Sequence, residues 1–223
     1  MKDESSRFGL NAFKVLGGSY CIGRVLAERA GIPEEELTFA RLRQEDVSAI
    51  ARNLTFVTAT DGNHGRGIAW TAHELGSRAV VFMPKGSSAE RLRNIRGLGA
   101  EAEILDMNYD GAVRYAAECE RKFGWIAVQD TAWDGYEEIP FRIMQGYTTM
   151  ALEAAEQLGG VIPTHIFLQA GVGAMAGALT GFFTDLYREK KPSVVIVEPD
   201  RADCLFRTAR ANDGALHTVG GKA

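Results

Sequence analysis

Lys14 stands in the run Ser6-Arg7-Phe8-Gly9-Leu10-Asn11-Ala12-Phe13-Lys14-Val15-Leu16-Gly17-Gly18, where its amine could serve as a nucleophile. Asn11 reads as a helix N-cap, and apolar residues recur at Phe13, Leu16, Tyr20 and Leu26. A helix is therefore expected from about Ala12, with Lys14 in its first turn. Unpaired amides and the positive end of the helix dipole disfavour an ammonium there. A neutral amine is the species that Schiff-base chemistry needs. The plainer reading is a lysine snorkelling from an amphipathic helix, and it would stand if no other segment carried matching chemistry.

Two other segments do. Thr58-Ala59-Thr60-Asp61-Gly62-Asn63-His64-Gly65-Arg66-Gly67 follows an apolar run (54–57) and precedes a helical pattern (68–75). Strand, glycine-bearing turn and helix start are the arrangement that presents backbone amides to an anion. A plain loop would explain the glycines and Asn63, and Asp61 could simply cap the next helix. Neither explains why Asp61, Asn63 and His64 crowd into four positions. His64, at the helix start, reads as structural.

The second segment runs Thr164-His165-Ile166-Phe167-Leu168-Gln169-Ala170-Gly171-Val172-Gly173-Ala174-Met175-Ala176-Gly177-Ala178-Leu179. An apolar strand enters a glycine-rich turn and then a helix of small residues, a cradle for phosphate. The same pattern fits a dinucleotide fingerprint. Glu198, after Val194-Val195-Ile196-Val197, would then be the ribose-binding acid.

The elements that must position these residues alternate along the chain. Helical patterns cover 13–30, 44–53, 65–75, 89–98, 111–123, 138–158 and 173–187. Apolar runs at 79–83, 102–105, 126–129, 164–169 and 193–198 lie between them. This order predicts parallel α/β structure, with ligands at the C-terminal ends of the strands. Arg91, Arg93 and Arg96 read as a solvated helix face.

Composition narrows the function classes. The 223 residues are 46% apolar and 24% charged, with a net charge of −4 and no basic block, which argues against nucleic acid as a partner. No apolar stretch approaches a membrane span, and the N-terminus has no signal-peptide pattern, so no membrane partner is expected. Cys21, Cys119 and Cys204 are scattered and odd in number, as in a cytoplasmic protein with reduced thiols, and no metal site is expected.

Taken together, the three segments resemble the pyridoxal-phosphate enzymes of the tryptophan synthase β-subunit fold type. The run from Lys2 to Lys14 is similar to that family's cofactor-lysine segment. The turn Thr60-Asp61-Gly62-Asn63-His64-Gly65 resembles that of its diaminopropionate ammonia-lyases, whereas serine and threonine dehydratases usually carry a serine-rich version. Val128-Gln129-Asp130-Thr131-Ala132-Trp133, followed by Gly135-Tyr136, is a third similar stretch. The resemblance runs along essentially the whole chain.

It implies two three-layer α/β domains with mainly parallel sheets and pyridoxal 5'-phosphate in the cleft between them (fold type II). Residues 1–41 and 132–223 would form a larger, discontinuous and incomplete domain, and 42–131 a smaller one. The chain would be truncated at both ends, would lack the partner of the pyridine nitrogen, and would turn over little. The implied roles are a Schiff base and a general base at Lys14, and phosphate binding at Gly171, Val172, Gly173, Ala174 and Met175. Asn63 would touch the cofactor ring oxygen. The amides around Gly62 and His64 would hold a substrate carboxylate. Asp61 would be a second base, matching the family's acceptance of D- and L-2,3-diaminopropionate, and Asp130 would meet the β-ammonium. Pyruvate and ammonia are the implied products, from a small amino-acid substrate on a cytoplasmic enzyme that is a homodimer when full length. A serine or threonine dehydratase, an NAD-dependent oxidoreductase and a non-catalytic fragment are the competing readings.

Overall fold

Helix α1 spans Lys14–Ala30, two residues later than the spacing predicts. Asn11 is not its cap: it takes a left-handed conformation (φ 53°), and Phe13 precedes the helix without a side-chain cap. The reason is the tight 3-10 turn at Arg7–Gly9, which carries the chain round with Phe8 also at positive φ. Phe8 stacks on Trp70 at 4.8 Å, so the turn is held from outside. Lys14 nevertheless falls in the first helical turn, as expected. Gly31, at φ 66°, closes the helix.

The computed structural model describes residues 1–217 and 219, which fall into two units divided between Gly146 and Tyr147. In the first unit, β1 (Thr55–Ala59), β2 (Arg78–Met83), β3 (Glu101–Ile104) and β4 (Ile126–Ala127) form a parallel sheet in the order β3-β2-β1-β4. Short helices α2 (Phe39–Leu42) and α3 (Glu45–Ala51) follow α1. Then α4 (Asn63–Leu75), α5 (Ala89–Arg96) and α6 (Tyr109–Phe123) alternate with the strands. Every residue of β1 is buried, as a strand covered on both faces must be.

The side-chain alternation assigns the covering helices. Val57, Ala59, Val80 and Phe82 pack on Ala112, Ala116 and Cys119 of α6. Val81 points the other way, so close to α4 that a β-carbon on Gly65 would lie 2.8 Å from its Cγ1. Helices α4 and α6 therefore sit on opposite faces, which makes three layers. Helix α1 lies on α4, where Gly18 leaves room for Ile68.

Helix α7 (Glu138–Gln157) crosses the division between the units. The second unit pairs β5 (His165–Gln169) with β6 (Ser193–Val197) in parallel, joined through α8 (Ala174–Tyr187), and adds α9 (Cys204–Ala211). The periodicity gave no sign of α2 or α9, which are too short to repeat an apolar face. Among the described residues no helix is long and apolar enough to cross a membrane and no cluster could hold a metal, while all three cysteines are free.

Candidate active site

The parallel register Phe56↔Ile126 and Val57↔Ala127 brings the C-terminal ends of β1 and β4 side by side, and Val128 N donates to Val57 O at 2.8 Å. Whatever follows β1 therefore meets whatever follows β4. His64, in the first turn of α4, and Asp130, just past β4, are both buried there. Lys14 completes the group from α1: its Nζ donates to Asp130 Oδ2 at 2.5 Å across 116 residues of sequence. The lysine side chain is 31% exposed and the aspartate 4%, so a partly exposed lysine ends on a buried counter-ion.

His64 backs this pair. Its Nε2 lies 2.8 Å from the Val128 carbonyl, which can only accept, so Nε2 carries the proton. Nδ1 has no hydrogen-bond partner and stands 3.9 Å from Asp130 Oδ2. Burial holds the imidazole below its usual range, against the pull of Asp130. For Asp130, burial pushes the carboxyl up, but His64 and the Lys14 ammonium outweigh it and keep it below the usual carboxylate range. With His64 neutral, Lys14 is the charge that matters. The helix dipole alone is thus not what defines the lysine's surroundings; a buried carboxylate does.

The segment before Asp130 is pinned by a network absent from the motif-based expectations. Gln129 Oε1 accepts from Thr58 Oγ1 and from Ala59 N, both at 3.0 Å, and its Nε2 donates to Tyr109 OH at 2.8 Å. Tyr136 OH donates to Ala127 O at 2.8 Å and accepts from Gln129 N at 2.9 Å. Burial raises both phenols above their ordinary range, so they remain neutral donors. The usable signal was a glutamine at a strand end, immediately before the aspartate.

Asp61 and Asn63 lie at the exposed edge of the same turn. Arg91 of α5 reaches Asp61 twice: Nη1 donates to its carbonyl at 3.1 Å and stands 3.6 Å from Oδ2. Its aliphatic stem lies against Gly62, where a β-carbon would come within 3.2 Å of Arg91 Cδ. Arg91 is therefore more than part of a solvated helix face. Asp61 caps nothing: the residue before α4 is Gly62, without a side-chain cap.

Glycine also precedes α8 in the second unit. Gly173, at φ 92°, leaves the first amides of that helix without a side-chain acceptor, and a β-carbon on Gly171 would meet nothing within 4 Å. By contrast, Ser88 and Asn108 cap α5 and α6 with their side chains. The turn from Gly171 through Val172, Gly173, Ala174 and Met175 is thus open and amide-rich, fit for a phosphate. Glu198 is committed elsewhere: its carboxylate accepts from Leu205 N at 3.0 Å and Phe206 N at 2.8 Å, capping α9. The dinucleotide reading needed that acid for a ribose, and it is overturned on this point.

In the first unit a partly exposed lysine on a buried carboxylate is suited to hold an aldehyde, and in the second unit, taken by itself, the uncapped start of α8 is suited to a phosphate. The family model described as pyridoxal-phosphate dependent enzyme matches residues 1–219, and the chain belongs to that family. Within it, the chain is 53% identical over 224 residues to a diaminopropionate ammonia-lyase of Salmonella typhimurium (strain LT2), covering 99% of this chain and 55% of the relative. The crystal structure of holo diaminopropionate ammonia lyase from Escherichia coli superposes with a TM-score of 0.91 at 51% identity, over 99% of this chain and 55% of that one. The same Escherichia coli protein in complex with D-serine gives a TM-score of 0.89 over 98% and 56%. The chain spans about half the length of the relatives it matches. The fold is that of the type II pyridoxal-phosphate enzymes.

Proposed function

We propose that the chain acts as a pyridoxal-phosphate-dependent carbon–nitrogen lyase that eliminates ammonia from 2,3-diaminopropionate of either hand, yielding pyruvate and ammonia. The observation that carries this reading is the Lys14–Asp130 pair, a partly exposed lysine on a buried carboxylate. Pyridoxal phosphate, when bound, supplies an aldehyde for amine exchange and an electron sink for a carbanion. Lys14 Nζ holds that aldehyde and, when free, accepts the α-proton of one enantiomer. Asp61 is the base for the other. The amides from Gly171 to Met175 hold the phosphate, Asn63 meets the ring oxygen, and the amides around Gly62 and His64 bind the substrate carboxylate. Asp130 already holds one ammonium; once Lys14 is engaged, its carboxylate is available to a substrate's β-ammonium.

The two-handed substrate rests on Asp61 and on the likeness to a protein solved with D-serine. A dehydratase of the same fold would leave Asp61 without a task. In the same reading, residues 42–131 act as the smaller domain, the remainder belongs to the larger one, and the enzyme is a cytoplasmic homodimer. Borohydride reduction of the cofactor-loaded protein, followed by peptide mapping, tests the proposal. A pyridoxyl group on Lys14 is expected; finding it on Lys85 or Lys122 instead would end the mechanism.

A further inference from the structure

Lys14 must shed a proton before its amine can attack, yet its counter-ion Asp130 is buried and holds the ammonium at 2.5 Å. A proton lost to solvent would leave Asp130 as an uncompensated buried anion, which is costly. The cluster contains one further basic atom. His64 Nδ1 is fully buried, has no hydrogen-bond partner, and stands 3.9 Å from the same Oδ2 that Lys14 grips. Its other nitrogen is tied to Val128 O, so the ring is oriented and only Nδ1 is free to change state.

We propose that His64 is the proton acceptor that frees the Lys14 amine, with Asp130 as the carboxylate shared between them. The Nζ–H bond of Lys14 breaks and an Nδ1–H bond forms on His64. The proton passes over Oδ2 of Asp130, which is anionic before and after the transfer. The proton count of the three residues is unchanged and their net charge stays zero, so no uncompensated charge is created in the interior. The imidazolium donates through Nε2 to Val128 O as before and through Nδ1 to Asp130, which closes the present gap by about 1 Å to reach hydrogen-bond distance. His64 is thus a positioning residue and a proton store, acting on Lys14 through Asp130. Lys14 and Asp130 are the charged groups that bear on it from α1 and from the segment after β4.

The proposal deepens the function proposed above in assigning the task to be done at Lys14, but its test needs no cofactor. Histidine-ring NMR on the full chain, with His64→Gln identifying the signal, should show a neutral ring protonated at Nε2 at pH 7. In Lys14→Met, which deletes the competing ammonium, the same ring should titrate about one pH unit higher, a roughly tenfold gain in proton affinity. Adding Asp130→Asn should cancel that gain. A His64 ring that stays neutral and keeps its titration in Lys14→Met would overturn the proposal. If Lys14→Met does not fold, amine labelling by trinitrobenzenesulfonate decides instead. At pH 7, His64→Gln should slow labelling at Lys14 by about tenfold, because the proton must then leave the cluster; an unchanged rate would overturn the idea. Failure of the borohydride mapping would remove the cofactor from Lys14 and leave both of these measurements standing.

Discussion

Gly67 of α4 packs on the backbone of Val15 in α1 so tightly that a β-carbon would stand 2.9 Å from Val15 Cα and 3.0 Å from its nitrogen. The neighbour of Lys14 is thereby seated on the helix that begins with Asn63 and His64. Two motifs about fifty residues apart become one site through this contact. Gly67→Ala would force backbone against backbone, and neither side can yield by a rotamer change. Overpacking of this kind costs about 1–3 kcal/mol. Urea denaturation should report a loss in that range, and cofactor affinity should fall with it because Lys14 moves.

Acid should weaken the fold in two stages. The native His64 is held below its usual range, so the unfolded chain takes up a proton that the native one refuses. Stability contributed by the neutral ring is present above about pH 6.5 and lost below it, by up to ~1.4 kcal/mol per pH unit. Asp130 is also held low, so its contribution is present above about pH 3.9 and is lost as pH falls further. Urea midpoints measured from pH 8 down to about pH 2 should decline, and His64→Gln should flatten the upper part of that decline. A curve with the same slope in the variant would assign the effect to other groups.

Asp61→Asn should separate the two enantiomers. In a chain extended to the length of its relatives, activity on D-2,3-diaminopropionate should fall by about 10²–10⁴, the usual worth of a positioned base. Activity on the L-isomer should fall far less, because in the proposed function Lys14 is the base for that face. Pyruvate release from each isomer measures it. Equal losses would reduce Asp61 to a residue that holds the turn.

Arg91→Gln should affect catalysis while sparing stability. Both partners of the Arg91–Asp61 pair are largely exposed, at 55% and 77%, so the pair contributes only about 0–1 kcal/mol to the fold. Its removal releases the Asp61 carbonyl and carboxylate together. The D-isomer rate should drop with the urea midpoint nearly unchanged. Arg91→Lys should restore part of that rate.

Cys21 should resist alkylation in the native protein. It is completely buried on α1, and burial pushes its thiol up to about 12. At pH 8 almost none of it is the reactive thiolate. Iodoacetamide labelling followed by mass spectrometry should leave Cys21 unmodified until denaturant is added.

Much of this protein is written locally. The alternation of apolar runs with helical periodicity foretold each of the six strands among the described residues and the longer helices, because burying one face leaves a repeat of two or 3.6 residues. Lys14, Asp61, Asn63 and His64 were legible as candidates because each sits at a helix start or turn whose backbone is set within a few residues. The pairings were not legible. Asn11 had the chemistry of a cap, but the stacking of Phe8 on Trp70 decided where α1 begins. Glu198 had the place of a ribose ligand, but α9, too short to leave a pattern, took its carboxylate. Arg91 read as a surface charge until the β1–α4 turn and α5 were placed together. Above all, nothing near Lys14 in the chain names Asp130 as its counter-ion. That contact depends on the register of β4 beside β1 and on the missing β-carbon of Gly67, both of which exist only once distant segments are packed. Residue types and short spacings are encoded in the chain, whereas the charge that each group faces is a property of the fold.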